Sequence, residues 1–308
     1  MNTRKVITGV VLVAIGLPAL LALILIGAIS FMNRTNGAIV SSGQKREYLR
    51  YVPRSYDRTK PTPLVISLHA TMNWPAFQMN ISRWNQAADD NNFIVVYPSG
   101  TGTGPRTWFM EGAQMPSRMP DVRFISELID TLEATYNIDP TMISANGLSN
   151  GGGMAFVLSC TLSHRIAAIG TVAAAQSLPW SWCADSTPVP MIAFHGTADP
   201  IVPYDGGKVW IAPLLFPSVR TWVANWARRN RCGPNPVDAV VATDVTRLEY
   251  TNCADDATVV LYSVDGGGHA WPGGKPMPER LLGRTSNSID ATNQMWAFFR
   301  EHRLRLPN

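Results

Sequence analysis

Acidic residues are missing from the first 46 positions of this 308-residue chain, and charged residues make up only 16% of it. The formal charge is +4, but setting aside Arg4, Lys5 and Arg34, which flank the leading apolar stretch, leaves +1. That excludes the electrostatic footprint of a nucleic-acid binder. Cysteine is scarce as well: there are four, and none makes the C-x-x-C spacing of a metal or redox site. Internal repeats, low-complexity tracts and a dividing linker are all absent, which leaves one folded domain as the expectation. With 46% hydrophobic residues it can bury a large core.

What the N-terminus has instead is an uncharged run from Val6 to Met32. As a helix at about 1.5 Å per residue it exceeds the roughly 30 Å hydrocarbon core of a bilayer. The reading is a cytoplasmic segment 1–5, a transmembrane anchor 6–32, a tether 33–44 rich in Asn, Ser, Thr and Gly, and a catalytic domain 45–308 outside the cytoplasm, periplasmic or at the cell surface. Arg4 and Lys5 ahead of the span set that orientation. The alternative is a secretory signal peptide cut near Ala28-Ile29-Ser30, which would release the domain. Four cysteines, an even number, suit an oxidising compartment. Three pairings are open, and proximity in sequence favours Cys160 with Cys183 and Cys232 with Cys253; four buried free thiols are the competing reading.

Continuous apolar runs at Pro63–Leu68 and Phe93–Tyr97 read as strands buried on both faces, with Glu47–Val52 as an edge strand. Trp84–Asp90 is predicted to be a covering helix. From Asp121, residues Val122, Ile125, Leu128, Ile129 and Leu132 recur at helical spacing. Further strands are expected at Met142–Asn146, Ile166–Ala173, Val189–Phe194 and Thr258–Val264, and a last helix at Ile289–His302. Alternating strands and helices predict a doubly wound, mostly parallel α/β sheet with helices on both faces.

Gly147-Leu148-Ser149-Asn150-Gly151 lies between a strand and a helix in that pattern. It is the G-x-S-x-G spacing of a nucleophile elbow, where a serine hydroxyl is presented on a tight turn. Such a run also arises by chance, so its partners decide. A serine needs a base, and the base an orienting acid, on loops after later strands. Asp199 follows the strand ending at Phe194 and His269 follows the strand ending at Val264, in the order serine, acid, histidine. Asp205 and Asp265 are alternative acids; His69, His164, His195 and His302 are alternative bases. His195 opens the acid loop and is expected to fix its conformation, and Asp265 to shape the turn before His269. His164 and His302 are expected near helix ends, at the surface.

For the negative charge of a tetrahedral intermediate, the Asn150 amide at the helix start and the amide of Ala70 or Thr71, after the strand ending at Leu68, are the expected donors. Trp74, Trp108 and Trp271 are candidate walls for an acyl group, as readily explained as core.

The runs GLSNGGGM, HGTADPIVPY and GGGHAWPG, with N-R-C-G and Y-T-N-C, together resemble the polyhydroxybutyrate depolymerase and feruloyl or acetylxylan esterase family over about residues 45–302. Phe124–Asp139, resembling the family's F-I-x-x-L-I-D…Y-x-I-D-P helix, and Ile289–Thr292 match it too. The resemblance implies an α/β-hydrolase fold, with Ser149 as nucleophile, Asp199 as acid and His269 as base. It implies cleavage of carboxylic esters without a metal or cofactor, on short hydroxyalkanoate esters or feruloyl and acetyl esters of polysaccharides. Ala70 departs from the family's glycine, and no cysteine for lipid attachment lies near the N-terminus. With no separate substrate-binding domain read in the chain, soluble or short-chain esters are expected over crystalline polyester. The partners are therefore an ester substrate and, through the apolar span, a membrane. An acyltransferase using the same triad, or a catalytically silent binding module, are the alternatives.

Overall fold

A computed structural model describes residues 27, 29–102, 104–108, 119–176, 178–183, 187–209 and 215–305. The chain divides into two units, residues 1–34 and 35–308. In the first, residues 29–32 are helical and the Arg34 guanidinium sits 4.0 Å over the Phe31 ring. The segment 1–5, and the 6–32 span apart from residues 27 and 29–32, lie outside the described residues. Among the described residues no helix is long and apolar enough to cross a membrane.

The second unit runs β1 (Gly37–Ser41), β2 (Gln44–Tyr51), β3 (Thr62–Leu68), α1 (Pro75–Ser82), α2 (Trp84–Asn91), β4 (Ile94–Pro98), α3 (Pro120–Thr135), β5 (Ile138–Leu148), α4 (Asn150–Thr161), β6 (Ala168–Val172) and β7 (Met191–Gly196). It continues through the short strands β8 (Gly207–Lys208) and β9 (Leu215–Phe216), α5 (Val219–Arg229), β10 (Val237–Ala242), β11 (Val245–Tyr250), β12 (Val259–Val264), α6 (Glu279–Leu282) and α7 (Ala291–Glu301). One sheet has the order β1-β2-β4-β3-β5-β6-β7-β12-β11-β10. From β4 to β12 every neighbouring pair is parallel. Antiparallel hairpins extend it at both ends.

Side chains of the central strands alternate between two buried layers. Leu64, Ile66 and Leu68 of β3 face one, packed with Ile125 and Leu128 of α3, Phe156 of α4 and Trp222 of α5. Val65 faces the other, with Trp84 of α2 and Met295 and Phe299 of α7. Helices therefore cover both faces, as a parallel sheet without a wet side requires. The apolar spacing of residues 122–132 becomes the buried stripe of α3, begun by Pro120 in its first turn and ended before Tyr136. The Asp290 side chain caps α7 by accepting from the Asn293 amide at 3.0 Å.

The expected tether at 33–44 is corrected: residues 37–44 belong to the first hairpin. Ile39 packs on the core while Ala38 and Val40 face solvent. Ser42 and Gly43, at φ 51° and 75°, make the two-residue turn whose left-handed backbone matches the twist of paired strands. Five residues with one inward apolar side chain carry too little periodicity to be read. The sequence reading also placed no elements at α5 or at the β10–β11 hairpin. β10 lies at the sheet edge with nearly every residue exposed, so it shows no alternation of burial.

Arg46 and Asp121 form a buried ion pair at 2.6 Å, with side chains 6% and 1% exposed. The Arg46 guanidinium also lies 4.1 Å over the Phe124 ring and donates to the Ser99 carbonyl at 3.1 Å. It pins β2 and the end of β4 to the start of α3. Two disulfides close the favoured pairings, Cys160–Cys183 and Cys232–Cys253, over separations of 23 and 21 residues. Loops of this length predict about 3 kcal/mol of stabilisation from each bridge. Urea unfolding of Cys232→Ser/Cys253→Ser should show that loss with little change in the slope of free energy against urea; an unchanged midpoint would show that the bridge adds no stability.

Candidate active site

β5 ends directly in Ser149, whose backbone sits at φ 55°, ψ −120°. This is a left-handed conformation that a non-glycine residue adopts at a cost of about 1–3 kcal/mol. Its amide donates to the Val172 carbonyl of β6 (2.8 Å), and its carbonyl accepts from Gly153 in the first turn of α4 (2.9 Å). The flanking glycines are explained by crowding. A Cβ on Gly147 would collide with the backbone of Gly151. One on Gly151 would fall into the Leu68 carbonyl oxygen and lie 2.6 Å from that of His69. The elbow is thus wedged between its own helix and the end of β3, and the first amides of α4 are free of intrahelical partners.

Asp199 lies three residues after β7 and is 6% exposed. Its Oδ1 accepts from the amides of Ile201 (2.8 Å) and Val202 (2.9 Å), and its Oδ2 accepts from His269 Nδ1 at 2.8 Å. Two backbone donors fix the carboxylate so that one oxygen is left for the imidazole. His269 follows β12 and is 5% exposed. Its turn is drawn onto the end of β7 by bonds from Thr197 N to Val264 O and from Ala198 N to Gly267 O, both 2.9 Å. On the other side Gly268 N donates to Arg284 O (2.9 Å) and His269 N to Leu282 O (2.6 Å). With Nδ1–H given to Asp199, Nε2 is the ring nitrogen able to accept a proton.

The alternative acids and bases sit elsewhere or are committed. Asp205 and His164 are exposed. Asp265 is exposed as well, and accepts from Thr197 Oγ1 at 3.1 Å. His302 is half-buried, bonded to Thr258 Oγ1 and the Phe298 carbonyl. His195 is buried; its Nε2 donates to the Val202 carbonyl at 2.9 Å and lies 3.4 Å from Asp199 Oδ2. It closes the acid loop as its position suggested. Burial holds its pKa below the ordinary histidine value, against the opposing pull of the Asp199 charge.

His69 is the residue that sequence reasoning used least well, considering it only as a base. Its Nε2 accepts from the Gly100 amide (3.0 Å), so Nδ1 carries the proton and donates to the Ala70 carbonyl (2.7 Å). Burial pushes its pKa down to about 4, with the Arg106 charge adding to the effect and the Ala70 bond opposing it. Because C=O and N–H of a trans peptide point opposite ways, turning the Ala70 carbonyl onto His69 turns the Thr71 N–H away from it. The Asn150 side chain was missed too. Its Oδ1 accepts from Trp108 N (2.8 Å) and its Nδ2 donates to Trp108 O (3.2 Å), tying the residue after the serine to the 104–108 segment.

Two of the tryptophan expectations are corrected. Trp108 is 1% exposed, lies against His69 with ring centroids 5.1 Å apart, and gives its Nε1–H to the His69 carbonyl. Trp271 is 0% exposed and bonded to Thr292 Oγ1. Neither has surface to offer a substrate. Trp74 is half-buried at the head of α1, beyond the Ala70–Thr71 turn, and retains some.

A family model described as "Putative esterase" matches residues 39–201, more than half of the chain. The chain belongs to this esterase family. The name denotes carboxylic-ester hydrolysis, and its match spans Ser149 and Asp199. Feruloyl esterase B of Piromyces equi is 28% identical over 236 residues, covering 75% of this chain and 44% of that protein. Feruloyl esterase C of Emericella nidulans is 28% identical over 247 residues, covering 76% and 79%. The bifunctional acetylxylan esterase/xylanase of Neocallimastix patriciarum is 32% identical over 143 residues, 46% of this chain and 20% of that protein. The chain therefore spans less than half the length of the first and third of these relatives. Among solved structures, the acetyl xylan esterase from Aspergillus awamori superimposes with a TM-score of 0.61 at 13% identity, covering 85% of this chain and 98% of that one. That likeness bears on the fold, which is α/β-hydrolase-like.

The neutral, buried His69 generates a pH dependence of stability. Its pKa is about 4 in the fold against 6.5 unfolded. Below pH 6.5 the unfolded chain binds a proton that the fold refuses, so stability present above 6.5 is lost as pH falls toward 4, by on the order of 3 kcal/mol. Urea midpoints measured between pH 7.5 and 4.5 should fall more steeply for wild type than for His69→Gln. Parallel slopes would remove His69 as a source.

Proposed function

We propose that the protein is a serine esterase that works through an acyl-enzyme, with feruloyl or acetyl esters of polysaccharides as its substrates. The observation that carries the reading is the 2.8 Å bond from His269 Nδ1 to Asp199 Oδ2, at the same carboxyl edge of the sheet as the strained Ser149. Membership of the esterase family supports it, and the names of the feruloyl and acetylxylan esterase relatives support the substrate class. Short hydroxyalkanoate esters remain a class to compare directly.

In this mechanism His269 Nε2 takes the proton of Ser149 Oγ as the oxygen bonds to the ester carbonyl carbon. Negative charge moves to the carbonyl oxygen, where the Asn150 amide at the positive end of α4 and the amide of Thr71 or Ala70 receive it. The imidazolium, steadied by Asp199, gives the proton to the departing alcohol oxygen and the acyl-enzyme is left. Water then gives a proton to His269 and its oxygen to the acyl carbon. Return of the proton to Ser149 Oγ releases the acid. The two disulfides fit a domain working outside the cytoplasm. Residues 6–32 are its proposed anchor.

A fluorophosphonate probe should modify Ser149 in the wild-type protein, and Ser149→Ala should abolish both labelling and turnover of methyl ferulate, acetylated xylan and hydroxybutyrate oligomers. Asp199→Asn should lower kcat by about 10⁴-fold while leaving the fold intact. Wild-type activity in purified Ser149→Ala would refute the nucleophile. A folded wild-type protein that neither labels nor cleaves any of the esters would refute the enzyme.

A further inference from the structure

On the side of the elbow away from His269, the start of β2, residues 99–102 and Arg106 enclose a cleft of ≈ 70 Å³ lined by Lys45, Arg46, Glu47, Ser99, Thr101 and Arg106, among others. Its charges do not cancel. Arg46 is neutralised by Asp121 at 2.6 Å. Glu47 is held by Lys45, Oε1 to Nζ at 2.8 Å. Arg106 is left over: its nearest acid is Glu47 Oε2 at 4.0 Å, beyond hydrogen-bond length, and its side chain is only 16% exposed. The Arg106 Nε is buried without a hydrogen-bond partner, and so is Ser99 Oγ on a residue 3% exposed. Unsatisfied buried donors are costly enough to be rare in folded proteins. Two of them on residues that line one cleft, with one uncompensated positive charge, call for a ligand bringing acceptor oxygens and a negative charge.

We propose that this cleft is an oxyanion subsite in which Arg106 and Ser99 hold a carboxylate or phosphate group. The volume accommodates such a group, given about 10–15 Å³ of the same measure for one water molecule. Arginine presents its N–H groups in a planar fork that matches two oxygens of either anion. Glu47 limits the occupant to a small net charge, since a second negative charge would meet its carboxylate. The subsite is wired to the elbow by backbone. Arg106 exchanges two hydrogen bonds with Asn73, N to O at 2.8 Å and O to N at 3.0 Å, in the loop that carries Ala70 and Thr71. Gly100, on the cleft wall, donates to His69 Nε2. An acid group on a substrate anchored here would lie on the cleft side of that loop. The binding claim itself does not depend on hydrolysis.

Thermal unfolding of the full-length protein in detergent micelles, with sodium glucuronate or sodium phosphate replacing sodium chloride at constant ionic strength, tests it without reference to turnover. A saturable rise in Tm is expected for wild type, weakened at least tenfold in apparent affinity by Arg106→Met and several-fold by Ser99→Ala. Should Arg106→Met fail to fold, Arg106→Lys, which keeps the charge and loses the Nε–H, should still bind several-fold more weakly than wild type. Tighter binding of glucuronate assigns a carboxylate carried by an acidic sugar; tighter binding of phosphate assigns a free or esterified phosphate. Both support the subsite. No rise beyond chloride with either anion, or variants that respond as wild type does, would overturn it.

Discussion

A serine backbone held at φ 55° between a strand and a helix is the constraint on which the site depends. The conformation is unfavourable by itself and persists because three neighbours leave no other path. Val172 of β6 takes the Ser149 amide, Gly153 bonds its carbonyl, and the carbonyls at the end of β3 press on Gly151. The proposed oxyanion loop is the continuation of that same β3. One contact therefore shapes the elbow and also sets how far the donors of the second loop stand from the serine. Strain at the proposed nucleophile and placement of the proposed oxyanion donors are two results of one packing arrangement.

The proposed acid and the proposed base are held by different means. Asp199 is oriented by the backbone of its own loop, so its geometry is local and depends little on the rest of the domain. His269 is placed by partners distant in sequence: the end of β7 beneath it and the carbonyls of Leu282 and Arg284 beside it. Arg284 is in turn tied to Asp244, in the turn between β10 and β11, at 2.7 Å, and Ser286 to the same carboxylate at 2.9 Å. Hydrogen bonds from Ser288, Arg284 and Ser286 draw the Asp244 pKa down to about 2. The hairpin at the far edge of the sheet, whose outer strand β10 is exposed, thus helps to position the catalytic candidate through an ionic bond. Stabilising the carboxylate form is what keeps that brace in place at ordinary pH.

What could be read from residues alone follows from this division. The central strands were legible because burial on both faces makes them continuously apolar, and α3 because its stripe repeats over three turns. Ser149, Asp199 and His269 stood out as candidates because each stands just after such a strand, where a parallel sheet puts its loops. β1 and β10 were not, since an outermost strand buries one apolar side chain or none. Trp108 and Trp271 misled for a related reason: a tryptophan near a catalytic motif in sequence carries no sign of whether its ring faces the cleft or the core. The clamps made by His69 and Asn150 join residues 31 and 42 positions apart. No local pattern encodes such a bond, although a histidine directly after an apolar strand is a position worth asking about.

Alanine at position 70, where the related sequences were expected to carry glycine, can be judged from the same bonds. A glycine is indispensable where the backbone turns left-handed or where a Cβ has no room. Ala70 meets neither condition: the left-handed residue of this loop is Met72, at φ 52°, and the Ala70 side chain packs as a partly buried member of the apolar layer beneath. Its carbonyl is already committed to His69, which fixes the plane of the peptide that carries the Thr71 amide. The methyl therefore adds contact without turning that peptide. A loop whose conformation is held by a neighbouring imidazole no longer depends on glycine for it, and the departure at this position is consistent with a working oxyanion loop.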